Sequence, residues 1–141
     1  MTYSDLEEAV ISELKKSVPA LRLVEPYAGQ LEEEVKELTV RLPAAFIVHD
    51  ESEFIWVDGS AYREDVRLSV MVVERVARSG SDRAVIEAVT DALAHQGLGL
   101  QMERLMPVRG SLLYTDRLLK VHALEFITSF DRNFNKTEEV S

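Results

Sequence analysis

The residue types best suited to chemistry are scattered along this chain. His49, His95 and His122 are its three histidines, and it contains no cysteine. No two histidines lie close enough in sequence for one helix or hairpin to present them as paired ligands, so a zinc site would have to draw on three distant elements. Disulfides, thiolate metal sites and a cysteine nucleophile are excluded outright. Gly110-Ser111 lacks the G-x-S-x-G context of a nucleophile elbow, and Gly97-Leu98-Gly99 lacks the third glycine and following helix of a dinucleotide site. Both read as turns. Asp50, Glu51 and Glu53 make an acidic stretch without EF-hand spacing or a glycine for its central bend. Opposed carboxylates for acid–base work depend on tertiary geometry that an acid-rich sequence does not supply. The expectation is a protein with no catalytic residue, no cofactor and no metal, hence not an enzyme.

The elements that would have to position such residues are easier to read. Residues 65–75 alternate, with Val66, Leu68, Val70 and Val72 on one face and Arg67, Ser69, Met71 and Val73 on the other, which predicts a long strand. Residues 119–128 alternate similarly and are rich in strand-forming types, so the two segments are expected at the middle of one sheet. Ser4 with Glu7 resembles a capping box for a helix over residues 5–17, whose buried stripe is Leu6, Ala9, Val10, Leu14 and Val18. The connector 20–28 can be extended at 21–24. A short helix is predicted over 30–38, with the acidic run 32–34 as a solvated face. A buried strand over 43–49, a polar turn at 50–53 and a short arm at 54–57 follow, closed by the Asp58-Gly59 turn signal. Ser81 with Asp82 reads as the N-cap of a helix burying Val85, Ile86, Val89, Ala92 and Leu93 and stopping at Gly97. Residues 98–105 read as a strand, Met106-Pro107 with Arg109-Gly110 as a turn, and 111–114 as a short apolar piece before the last strand. His49 and His122 fall on strands, where hydrogen bonds are expected to satisfy them.

This order predicts an α+β fold, a mainly antiparallel sheet of about four to five strands with helices packed on one face. Residues 1–132 are expected to form a single domain and 133–141 a polar tail that frays. The formal net charge of −9 repels phosphate backbones, which argues against general nucleic-acid binding. The N-terminus has no positive region leading into an apolar core, and no apolar run approaches the ~20 residues that span a bilayer. A soluble, cytoplasmic chain without membrane contact is expected.

Two surfaces stand out. Phe54, Ile55, Trp56 and Val57 are consecutive apolar residues flanked by acids; either they cover one end of the core or they are exposed as a contact surface. Arg104, Arg109, Arg117 and Lys120 cluster within a chain that is acidic elsewhere. They are either part of an ordinary mixed surface or a patch complementary to an acidic partner or a second copy.

Taken in order, the N-terminal amphipathic helix, Tyr27-Ala-Gly-Gln-Leu31, Leu42-Pro-Ala-Ala-Phe-Ile-Val48, Val66-Arg-Leu-Ser-Val-Met-Val-Val73, the helix at 85–93, Leu98-Gly-Leu100, Met106-Pro107 and Ala123-Leu-Glu-Phe-Ile-Thr128 resemble the Mu-like prophage family of small tail proteins, a domain of unknown function. The likeness spans about residues 6–130, and the 77–83 link is shorter and less glycine-rich than is typical of that family. The resemblance implies a contractile-tail component similar to tail terminators and completion proteins. Such a protein forms a homo-oligomeric ring, usually a hexamer, that caps the tail tube and meets the head-tail connector, with the sheath as a further neighbour. It would belong to the virion tail, be assembled in the host cytoplasm and act by binding. Phe54 to Val57 and the Arg104 to Lys120 region are then the interface candidates. Two rivals stay open: a small enzyme working through surface carboxylates, which needs a cleft of convergent acids, and an acidic monomeric binding module, a regulator or DNA mimic.

Overall fold

The computed structural model describes residues 2–33, 35–76 and 83–133. The expected N-cap at Ser81 and Asp82, part of the acidic run 32–34 and most of the 133–141 tail lie outside them. The chain forms α1 (Tyr3–Ser17), β1 (Leu23–Pro26), α2 (Gln30–Glu33), α3 (Val35–Leu38), a 3-10 turn (Thr39–Arg41), β2 (Ala44–Trp56), β3 (Ala61–Arg75), α4 (Ala84–Leu93), β4 (Met106–Thr115) and β5 (Leu119–Asn133). The strands make one sheet in the order β1-β2-β3-β5-β4. Its pairings are antiparallel except that of β1 with β2. β3 and β5 are indeed adjacent at the middle, paired from Ala61↔Asn133 to Arg75↔Leu119.

Alternation along the long strands feeds two cores. Ala45, Ile47, Val66, Leu68, Val70, Val72, Leu124 and Phe126 meet Leu6, Val10 and Leu14 of α1 and Ile86, Val89 and Leu93 of α4 on one face. The intervening residues Ala44, Phe46, Val73 and Val121 meet Leu38 and Leu42 on the other face, with Tyr27 and Leu31 packed alongside. Both long helices thus share a face as expected, while the short helical segment lies opposite. That segment covers only one end of its face, so Arg63, Asp65 and Arg67 farther along β3 lie outside the second core.

Several local readings need correction. The capping box is formed by Thr2 and Asp5, each side chain accepting the other's backbone amide, at 3.3 and 2.8 Å; helix α1 therefore begins two residues before the predicted start. Residues 50–53 do not turn. β2 runs straight through them with an irregularity between His49 and Glu51, where Asp50 accepts a 2.6 Å hydrogen bond from Ser69 Oγ. A bulge of this kind absorbs one extra residue without ending the ladder. Helix α4 ends at Leu93 with Ala94 as its C-cap, and His95 directly after it takes φ 63°, ahead of the stop expected at Gly97. Residues 97–105 are turns, with Leu98 and Gly99 both left-handed. Leu98, Leu100 and Met102 pack against the main core from these turns, and Leu105 is fully buried; the alternation that suggested a strand comes from residues tucked under a coiled loop. Met106, Pro107, Arg109 and Gly110 belong to β4, which turns into β5 at 116–118.

Candidate functional site

The acidic hairpin comes first in the chain. Beyond Ile47, the last residue that β1 pairs, β2 has β3 on one side only. Tyr3 at the start of α1 stacks on His49 with ring centroids 4.3 Å apart, so the helix ends where β2 enters residues 50–56 and the remaining hairpin projects past it. Asp58 closes the hairpin by accepting from the amides of Ser60 and Ala61 and from Ser60 Oγ. Those hydrogen bonds favour the carboxylate and hold the Asp58 pKa below its usual value. Phe54 and Trp56 share a face with Tyr62, their rings 5.6 and 5.3 Å from it. Both stay largely exposed, Trp56 at 59%. Ile55, on the opposite face, is half-buried and Val57 at the turn is exposed. The four apolar residues thus divide between two faces and a turn, as strand geometry requires.

A buried ionic network anchors this arm. Glu64, only 3% exposed, accepts from Arg132 Nη1 at 2.7 Å and from Ser52 Oγ at 2.7 Å. Ser52 Oγ also lies 2.8 Å from His49 Nε2. The serine sits between the histidine and the carboxylate, whereas a hydrolytic triad places histidine in the middle. The network ties β2, β3 and β5 together. The Tyr3 hydroxyl nearby has no hydrogen-bond partner, and burial, with Glu7 and Asp50 adding to it, pushes its pKa up.

The basic hairpin is β4 with β5. β4 is the outer strand of the sheet, bordered on one side by β5, with irregularities at Pro107/Arg109 and Leu112/Tyr114. All but one of its residues are exposed. They include Met106, Val108, Leu112, Leu113 and Tyr114, and Leu118 in the turn is 61% exposed. Asp116 builds this turn as Asp58 builds the other, accepting from the Leu118 and Leu119 amides at 2.7 and 2.8 Å. The Tyr114 hydroxyl donates to it at 2.6 Å. That bond, followed by the two amides, lowers the Asp116 pKa, and the same contact raises that of Tyr114. Beside Leu113 and Tyr114 an apolar recess of about 290 Å³ is lined also by Leu31, Met71, Leu119 and Val121.

The four predicted bases are spread along this hairpin, Arg104 before its Met106 end, Arg109 within β4, and Arg117 and Lys120 at the turn end. Arg109 lies 4.0 Å from Glu125, whose nearer partner is Arg67 at 3.0 Å. Arg104 and Arg117 are exposed on either side of β4, and Lys120 is half-buried at the start of β5. A shallow depression of about 220 Å³ at the open sheet face carries Glu51, Glu53, Asp65 and Glu103 with Arg67 and Arg104. Its four acids are interleaved with two arginines, which offset part of their charge. Among the described residues no group of three or more His, Asp or Glu is placed to hold a metal ion. His49 has the expected hydrogen-bond partner in Ser52, but Nδ1 of His122 has none. Its imidazole lies between Val72 and Leu112 in the ladder, and burial, with Lys120 and Arg83 adding to it, lowers its pKa.

Sequence reasoning pointed to both hairpins but missed that β4 is an exposed edge strand from end to end; the consecutive Leu112, Leu113 and Tyr114, which cannot all face one core, were the available signal. No described helix is long and apolar enough to cross a membrane. Residues 2–131 match the family described as Bacteriophage Mu, Gp37. Among solved structures the chain is similar to one from the virion of a native gene transfer agent particle, with a TM-score of 0.62 and 14% identity over 90% of this chain and 95% of that one. No curated protein matches by sequence. The chain belongs to the bacteriophage Mu Gp37 family.

Proposed function

We propose that this member of the Mu Gp37 family is a phage structural protein that acts as a tail terminator or tail-completion protein. It caps the tail tube as a ring, with six subunits the expected number, and joins the tube to the head-tail connector in the virion tail. One observation carries the reading: exposed apolar residues sit on two separate hairpins of one chain, Phe54 and Trp56 on the first and Leu112, Leu113, Tyr114 and Leu118 on the second. Exposed apolar residues gathered in this way mark contact surfaces. Two different patches on one chain suit a head-to-tail contact, which closes into a ring when the rotation between copies allows. The family match and the fold shared with a virion chain support the setting. A net charge of −9 would let DNA pass a ring lumen without adhering.

The test is the solution mass over a range of concentrations, alone and with purified tail tubes, followed by electron microscopy of the tube ends. A mass climbing towards six subunits, or a ring capping the tube, is the expected result. A strict monomer that leaves tube ends bare overturns the reading. It would favour the acidic monomeric binding module, whose attachment to a basic partner weakens steeply with salt.

A further inference from the structure

Two borders of the sheet that no described strand pairs are related in a way that the ring reading does not require. β2 beyond Ile47 and the whole of β4 lie at opposite edges of the sheet. Every pairing from the one to the other is antiparallel: β2 against β3, β3 against β5, β5 against β4. After three reversals β2 and β4 run in opposite directions. A second copy in the same orientation, shifted along the strand direction, can therefore bring its β2 edge antiparallel to this copy's β4 edge. Their charges are also opposite. Residues 50–65 carry six acids against one arginine, whereas 104–120 carry four bases against one acid. Both borders bear large exposed apolar side chains, and an exposed, apolar edge strand is a template for pairing with another chain.

We infer that the acidic β2–β3 arm of one copy docks along the basic β4 edge of the next, a heterologous contact in which Phe54 and Trp56 supply the apolar anchor. The inference rests on the self-assembly proposed above and names the surfaces that perform it. The occupant of the β4 edge is a second copy of this chain, because the arm is the border whose charge and strand direction complement it. The bases around β4 then set register and exclude a β4–β4 pairing, in which like charges would face each other. Aromatic anchors of this kind commonly dominate an interface.

The test mixes two variants. One carries Phe54→Ala and Trp56→Ala, which disable the arm; the other carries Arg109→Glu and Leu113→Glu, which disable the edge. All four positions are exposed, so each variant should melt like the parent. Alone, each is expected to associate at least about thirtyfold more weakly than the parent. Mixed one to one, they should form a dimer that grows no further, because one intact arm meets one intact edge. A chain carrying both Glu53→Lys and Arg109→Glu should regain assembly relative to either single change. Parent rings with arm-disabled or edge-disabled variants that still close, or with folded variants that ignore each other when mixed, overturn this pairing and leave the ring reading standing. Variants that still close into rings but no longer cap tubes assign the surfaces to the tube protein. A parent that stays monomeric with or without tubes removes both.

Discussion

The two hairpins share a construction and differ in sign. In each, an aspartate at the turn accepts the amides that follow it, Asp58 from Ser60 and Ala61 and Asp116 from Leu118 and Leu119. Each carries exposed aromatic or leucine side chains beyond the helix-covered core. The acidic arm, however, is braced from within by the buried Glu64–Arg132 pair at 2.7 Å, whereas Arg109 on the basic edge makes a longer, exposed contact with Glu125 at 4.0 Å. Shape and apolar character are therefore common to both, and charge and bracing tell them apart. Apolar patches make association favourable, but charge decides which patch meets which.

The comparison breaks most completely where the hairpins share a strand. Phe126 of β5 is fully buried in the main core, and Phe126→Ala is expected to cost about 3–5 kcal/mol and loosen both hairpins together. Urea unfolding gives the magnitude; loss of amide protection in one hairpin alone would show that the two do not depend on the common core. A smaller effect separates them. Arg132→Leu leaves Glu64 buried without its cation, an expected loss of about 2–4 kcal/mol, with hydrogen exchange rising in the β2–β3 arm before the β4 edge. Equal rises would mean that the ion pair braces the whole sheet.

Single charges come next. Arg117→Glu on the exposed turn is expected to leave the melting temperature nearly unchanged while weakening self-association about fivefold to tenfold at low salt. The deficit should shrink as salt is raised, which sedimentation at two ionic strengths measures. The two turns should respond alike to acid. Both aspartates have folded pKa values lowered by the bonds they accept. Each therefore contributes stability that is present above the ordinary carboxylate pKa of about 3.9 and is lost as pH falls through the lowered value. Amide exchange, corrected for intrinsic rates, should accelerate at Ser60, Ala61, Leu118 and Leu119 in that range, and Asp58→Ala or Asp116→Ala should abolish the transition in its own turn only. The smallest effect belongs to His122, whose folded pKa is lowered by burial. Its unfolded form binds the proton more readily, so stability present above about pH 6.5 declines as pH drops below it. Replacing His122 with Phe should flatten that slope slightly in denaturant titrations.

Much of the architecture was legible because local periodicity reports local burial. The stripe Leu6, Val10, Leu14 declared α1, the alternation from Val66 to Val72 declared β3, and both patterns are satisfied in the main core. The candidate surfaces were half legible. Phe54 to Val57 were recognisable as four apolar residues in a short arm, but strand geometry turns Ile55 away from Phe54 and Trp56. The cluster of Arg104, Arg109, Arg117 and Lys120 was visible as composition, yet the turn expected at Arg109-Gly110 is the interior of an edge strand.

The amino-acid order by itself thus determined the periods of the helices and strands, the absence of cysteine chemistry and the charge of each hairpin, since these depend only on neighbouring residues. The tertiary structure alone decided that β4 takes the outermost place beside β5, that the 50–53 acids continue β2 around a bulge, and that residues 97–105 pack against the main core without forming a strand. The physical reason is that a strand's exposure depends on which distant segment occupies the place next to it. That competition is settled by backbone pairing across the whole sheet, to which no short window of sequence has access.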